Sequence, residues 1–105
     1  MEEKVVNWTF TAMEMLAELY EYLSEYSEKS AVKYVDGLVE YTERLKKHPE
    51  SCALCRNPKL KQAGFRCCKY RNHVIIYEVN ENSVNILAVI HGKRDPRDFE
   101  KVVEE

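Results

Sequence analysis

The chain has 105 residues, 45% of them hydrophobic and 32% charged, with a formal net charge of −2. That size and balance suit one globular core, and they exclude a disordered tail, a membrane-spanning segment and a strongly basic coat protein for nucleic acid. The charge is uneven: residues 1–55 carry 6 Lys/Arg against 11 Asp/Glu, and Arg44 to Arg71 holds nine basic residues against one acidic residue, Glu50. Such a stripe is either a solvated lysine-rich surface or a face for phosphate or an acidic protein.

Met1-Glu2-Glu3-Lys4 lacks the basic-then-apolar pattern of a signal peptide, so a cytoplasmic location is expected. In that compartment the four cysteines are expected as reduced thiols. Lys4 to Phe10 reads as a strand with Val6, Trp8 and Phe10 on one face. Thr11 and Glu14 then have the spacing of a capping box. Ala12, Leu16, Leu19, Leu23 and Tyr26 form the apolar stripe of a first helix. After a short break, capped by Ser27 or Ser30, the spacing repeats through Ala31, Val35, Leu38, Thr42 and Leu45. The two helices therefore form an antiparallel hairpin, with Trp8 and Leu38 as core residues. Gly37 suggests a close approach to the first helix, and Lys46-Lys47-His48-Pro49 ends the second.

Glu50 to Gly64 has little periodicity and reads as a loop. Three strands follow at Phe65–Tyr70, Val74–Val79 and Val84–Ile90, rich in β-branched and aromatic residues and separated by turn residues. The tail from Pro96 holds a helical turn with Phe99 and Val102 packed back. The order β-α-α-β-β-β is that of an α+β fold, one domain over 1–105, with a helical hairpin on one face of an antiparallel sheet. By strict alternation Val84, Ile86, Ala88 and Ile90 face the helices. Leu87, Val89 and His91 then lie on the other face, which is too apolar for water. With Tyr77, the pair Leu87 and Val89 is therefore expected to contact a partner chain or a second copy.

Polar candidates gather around the hairpin sheet. Arg66, His91 and Arg94 offer the cations and the titrating group that RNA cleavage needs. Lys69, Arg71 and His73 extend a surface for a target or a phosphate. Cys52-x-x-Cys55 with Cys67-Cys68 leaves a zinc-binding interaction module open, although adjacent cysteines in a strand point to opposite faces and chelate poorly. Neither a resident metal nor another cofactor is expected.

Asn7-Trp8-Thr9, Ala12, Leu16, Leu19 and Tyr22 open an ordered set of residues that continues through Ala31, Tyr34, Leu38, Leu45 and Pro49. Arg66, Ile76-Tyr77, Ile86-Leu87, Val89, His91, Gly92 and Arg94-Asp95 complete it. The set resembles the RelE/ParE superfamily of toxins from bacterial type II toxin–antitoxin systems. The resemblance implies growth arrest in a plasmid-stabilisation system and neutralisation by an antitoxin whose C-terminal segment wraps the toxin. ParE-like members inhibit DNA gyrase and are not enzymes. RelE-like members are ribosome-dependent endonucleases that cut messenger RNA, generally with a functional aromatic near the C-terminus. The last tyrosine here is Tyr77, inside a strand, and Phe99 cannot transfer a proton, so the ParE-like reading leads and the nuclease is the alternative.

Overall fold

The computed structural model describes residues 3–104; Met1 and Glu2 of the expected leaderless start lie outside them. Its elements are β1 (Val5–Trp8), α1 (Phe10–Ser24), α2 (Glu28–Glu43), α3 (Pro58–Gln62), β2 (Arg66–Tyr70), β3 (His73–Val79), β4 (Ser83–His91) and α4 (Pro96–Glu104). The four strands make one sheet in the order β1-β4-β3-β2. β2, β3 and β4 pair antiparallel as expected, whereas β1 joins parallel to β4, with Val6 opposite Val84 and Trp8 opposite Ile86.

Capping fixes the helical hairpin. Thr9 rather than Thr11 caps α1, its hydroxyl accepting from the Ala12 amide at 3.1 Å, so the helix starts sooner than the Thr11–Glu14 spacing suggested. Ser27 caps α2 by accepting from Ser30 N–H at 3.2 Å, and a 3-10 turn at Arg44–Lys46 finishes that helix. Ala12, Leu38 and Leu45 bury against Ile75, Tyr77, Val84, Ile86 and Val89 of the sheet. Trp8 is only partly buried at the margin of this core. Gly37 meets the sheet rather than α1: a Cβ there would come within 2.3 Å of the Tyr70 hydroxyl.

The alternation expected along β4 is broken by a bulge. Tyr77 pairs with Ile86 but Ile76 pairs with Ala88, so Leu87 is the extra residue. A single inserted residue reverses the facing of everything beyond it. Val84 and Ile86 therefore face the hairpin as expected, but Ala88 and Ile90 turn to the opposite face and Val89 joins the hairpin core. That opposite face is covered by the chain itself: Leu60 of α3, Phe65, and Phe99 and Val102 of α4 pack on Ile76, Ala88 and Ile90. The argument for a second copy on that face accordingly falls away. Tyr77 is fully buried, its hydroxyl donating to the Pro49 carbonyl at 2.8 Å, so it is a core residue and not a contact residue.

The segment read as a loop is more ordered than its composition suggested. Asn57 caps α3 through the Lys59 and Leu60 amides, and Pro58 occupies the first turn, where a missing N–H costs nothing. Ahead of it, residues 53–55 run along the outer edge of β2: Cys55 N–H donates to Phe65 O at 2.9 Å and Cys67 N–H to Ala53 O at 3.2 Å. The cysteines are not free thiols. Cys52 bonds to Cys68 and Cys55 to Cys67. The pairing follows from the pleat: Cys68 faces the hairpin core with Cys52, and Cys67 the opposite core with Cys55. A shared zinc site is excluded by the same geometry, since the four sulfurs divide between two faces.

Two stability outcomes follow. Reduction of both disulfides is expected to lower the melting temperature markedly, at about 2–4 kcal/mol for each loop released; equal melting curves with and without a dithiol would contradict the pairing. Leu38→Ala should cost about 2–5 kcal/mol, measured by denaturant unfolding, because the side chain is wholly enclosed.

Candidate functional site

The C-terminal end of β4 and the N-terminal end of β3 meet at a direct cross-strand pair, His73 opposite His91. Both side chains project on the hairpin side, because the bulge at Leu87 has brought His91 into phase with Val89. Their rings lie edge to face, with centroids 5.2 Å apart. An aromatic rack supports them from below: Tyr41 packs on Tyr70, Tyr70 on Tyr34, and Tyr34 on His73, at centroid separations of 5.4, 5.6 and 5.6 Å. The missing side chain at Gly37 leaves room for the Tyr70 ring in this rack.

Both histidines are hydrogen-bonded at Nδ1. The Tyr34 hydroxyl lies 2.8 Å from His73 Nδ1. Burial pushes the Tyr34 phenol up from its ordinary value, while a hydrogen bond from the Asn72 backbone and the nearby Arg71 charge oppose that rise. His73 is held below the usual histidine value by burial first and by His91 second, which favours its neutral form. His91 is tied the same way by another group, with the Lys93 amide donating to its Nδ1 at 3.1 Å. The adjoining turn is strained: Arg71 has φ of 51°, in the left-handed region that favours glycine, and the Gly92 amide closes on Asn72 O at 2.8 Å.

These groups close one end of a groove of about 810 Å³ that runs between α1 and α4. Met15, Leu19 and Leu23 form the α1 wall, Leu87 and Val89 the floor, and Val102 the α4 wall. Arg94 stands on the rim near His91, 3.7 Å from Asp98, which Lys101 also holds at 3.2 Å.

The six polar candidates from the sequence do not form one cluster. His73, His91 and Arg94 line the groove together. Arg71 lies in the turn beside it and Lys69 is exposed on β2. Arg66 is elsewhere: it pairs with Tyr77, four residues along β3 from His73, which is about 13 Å at the rise of a strand. Its guanidinium donates to Cys52 O at 2.8 Å and to Glu50 at 3.3 Å, an anchor for the disulfide-bonded loop. The expected convergence of Arg66 with His91 and Arg94 is thus corrected, because the register places them at opposite ends of the sheet. Sequence reasoning missed Tyr34 as a site residue, although it stands in the ordered set that carries the resemblance.

A histidine held neutral by burial must gain a proton on unfolding at acidic pH. The stability it confers is complete above about pH 6.5, its unfolded value, and is lost as the pH falls below that value toward the lowered folded one. Melting temperatures are therefore expected to decline below that point in the wild type and to decline less in His73→Phe. Parallel profiles for the two proteins would refute the assignment.

Residues 6–96 match the family model described as ParE toxin of type II toxin–antitoxin system, parDE. Among solved structures, the fold is similar to the chromosomal ParDE toxin–antitoxin system of P. aeruginosa, with a TM-score of 0.71 and 19% identity over 85% of this chain and 96% of that one. It is also similar to the RelBE2 toxin–antitoxin complex of Mycobacterium tuberculosis, with a TM-score of 0.63 and 22% identity over 85% and 98% of the two chains. No curated protein sequence matches. With most of its length under that family model, and with the helical hairpin and sheet of those structures, the chain belongs to the ParE toxins of type II toxin–antitoxin systems, within the RelE/ParE superfamily.

Proposed function

We propose that the toxin arrests growth by inhibiting DNA gyrase in the cytoplasm, without cutting nucleic acid, and that residues 1–105 carry this activity as one domain. The observation that supports this reading is the separation of Arg66 from His91 and Arg94. A nuclease of the expected kind needs its cations around one phosphate, and here Arg66 is committed to Cys52 O and Glu50. The family match points the same way. Among the described residues no helix is long and apolar enough to cross a membrane.

The partner in this reading is a cognate antitoxin seated in the groove between α1 and α4. Its half-buried apolar residues Met15, Leu19, Leu23 and Leu87 leave room for an apolar segment from another chain. Both structural neighbours are described as toxin–antitoxin systems or complexes.

The messenger-RNA endonuclease keeps one observation in its favour, the convergence of Tyr34, His73, His91 and Arg94 on one groove. Induction in cells separates the two. Filamentation with DNA damage, intact transcripts and loss of supercoiling by purified gyrase are expected. Rapid transcript cleavage that disappears in His91→Ala, in a protein with wild-type melting, would transfer the assignment to the nuclease.

A further inference from the structure

We propose that His73, His91 and Arg94 form a clasp for a side-chain carboxylate, and that the groove's occupant is an apolar partner segment with a glutamate or aspartate seated in that clasp. The inference rests on the antitoxin reading of the groove and names the chemistry by which that partner is recognised.

Two features of the donors carry it. Both histidines have Nδ1 occupied, His73 by the Tyr34 hydroxyl at 2.8 Å and His91 by the Lys93 amide at 3.1 Å. The clasp takes the tautomer in which the Tyr34 hydroxyl donates to His73, so that each ring keeps Nε2–H as its remaining polar group, and each lines the groove. In that form each ring is a donor at Nε2, with no lone pair there for a metal ion or for a donor from the partner. Cross-strand pairing sets the two rings edge to face, with centroids 5.2 Å apart, and the aromatic rack beneath His73 limits its rotation. Two neighbouring ring donors on one groove, with the Arg94 guanidinium on its rim, suit the oxygens of a carboxylate.

The surroundings select against other ligands. The groove's charged rim is nearly balanced: Glu18 and Asp98 oppose Arg94 and Lys101. Recognition at the clasp therefore rests on its short-range donors and not on the net charge of the lining. Arg94 is 65% exposed and its partner Asp98 is also held by Lys101, so Arg94 can leave it for an incoming carboxylate without stranding that acid. The apolar floor at Leu87 and Val89 sits next to the clasp, which asks for hydrophobic residues flanking the acidic one.

The test uses the full chain with three synthetic peptides of leucines around one central residue. The first is acetylated and amidated with a central glutamate, and the second is identical but with glutamine. The third has glutamine and a free C-terminal carboxylate. Affinity is measured by calorimetry, and imidazole 15N–1H resonances report on the two histidines. The glutamate peptide is expected to bind about tenfold tighter than the glutamine peptide and to shift both ring N–H signals, as a charge-assisted hydrogen bond does. His91→Phe, which keeps a ring but removes the donor, is expected to bind both amidated peptides equally and no more weakly than the wild type binds glutamine. Equal affinities in the wild type would overturn the clasp, as would a preference that survives His91→Phe. Tightest binding by the free C-terminus would overturn the side-chain source.

Competition by the protein that neutralises the growth arrest separates this idea from the reading beneath it. If that protein displaces the peptides while glutamate and glutamine bind alike, the groove is the antitoxin's and the clasp is wrong. If glutamate is preferred and the neutralising protein displaces nothing, the clasp stands and the groove belongs to another partner.

Discussion

One extra residue in β4 determines which side chains the protein buries and which it offers. Leu87 interrupts the ladder between Ile86 and Ala88, and every residue beyond it changes face. Without that interruption His91 would lie on the side covered by α3 and α4, away from His73 and Tyr34. With it, the strand supplies Val84 and Ile86 to one core, Ala88 and Ile90 to the other, and His91 to the groove. The bulge also sets Leu87 itself half-exposed at the groove floor. Core and site are thus solved by a single local feature of the backbone.

The loop after α2 shows a second economy. A chain of this size buries a modest fraction of its surface, and a free β2 edge would be open to pairing with other strands. Residues 53–55 cover that edge, one disulfide on each face of β2 holds them there, and Arg66 and Tyr77 bind the carbonyls of Cys52 and Pro49. An arginine that looked functional in the sequence is therefore part of a staple. Its charge is satisfied where it stands, so the basic stripe from Arg44 to Arg71 does not act as one surface: Arg44 lies over the Tyr41 ring and Arg66 is drawn under the loop.

Much of the fold was legible because it rests on periodic burial. The stripes of α1 and α2 and the apolar runs of β3 and β4 recur at spacings that only one element type satisfies, and Ser27 marked its helix start by chemistry. What was not legible depended on long-range pairing. Nothing in VNILAVIH signals a bulge, since each residue suits a strand in either phase. The parallel seat of β1 beside β4 and the division of the cysteines between two faces likewise arise from register between distant segments. α3 was the exception: Asn57-Pro58 is a helix start with a local mechanism, and its short length hid it.

The site was half legible for the same reason. His91 and Arg94 follow directly from a strand exit, but their neighbours come from elsewhere in the chain. Tyr34 reaches His73 across 39 positions of sequence, and Gly37, one turn later on α2, leaves the space that the end of the Tyr70 side chain occupies in the same rack. The helix thus bears a glycine at some cost to its own stability, and Arg71 holds a left-handed turn where glycine would be easier. Both local penalties lie against the same small cluster, and both serve to fix it: one admits the rack that supports His73, and the other shapes the turn that leads into His73. Histidines held by hydrogen bonds at Nδ1 lose little freedom when a partner arrives. The geometry of this end of the groove is therefore best understood as rigidity placed where recognition occurs, beside an apolar floor that discriminates little by itself.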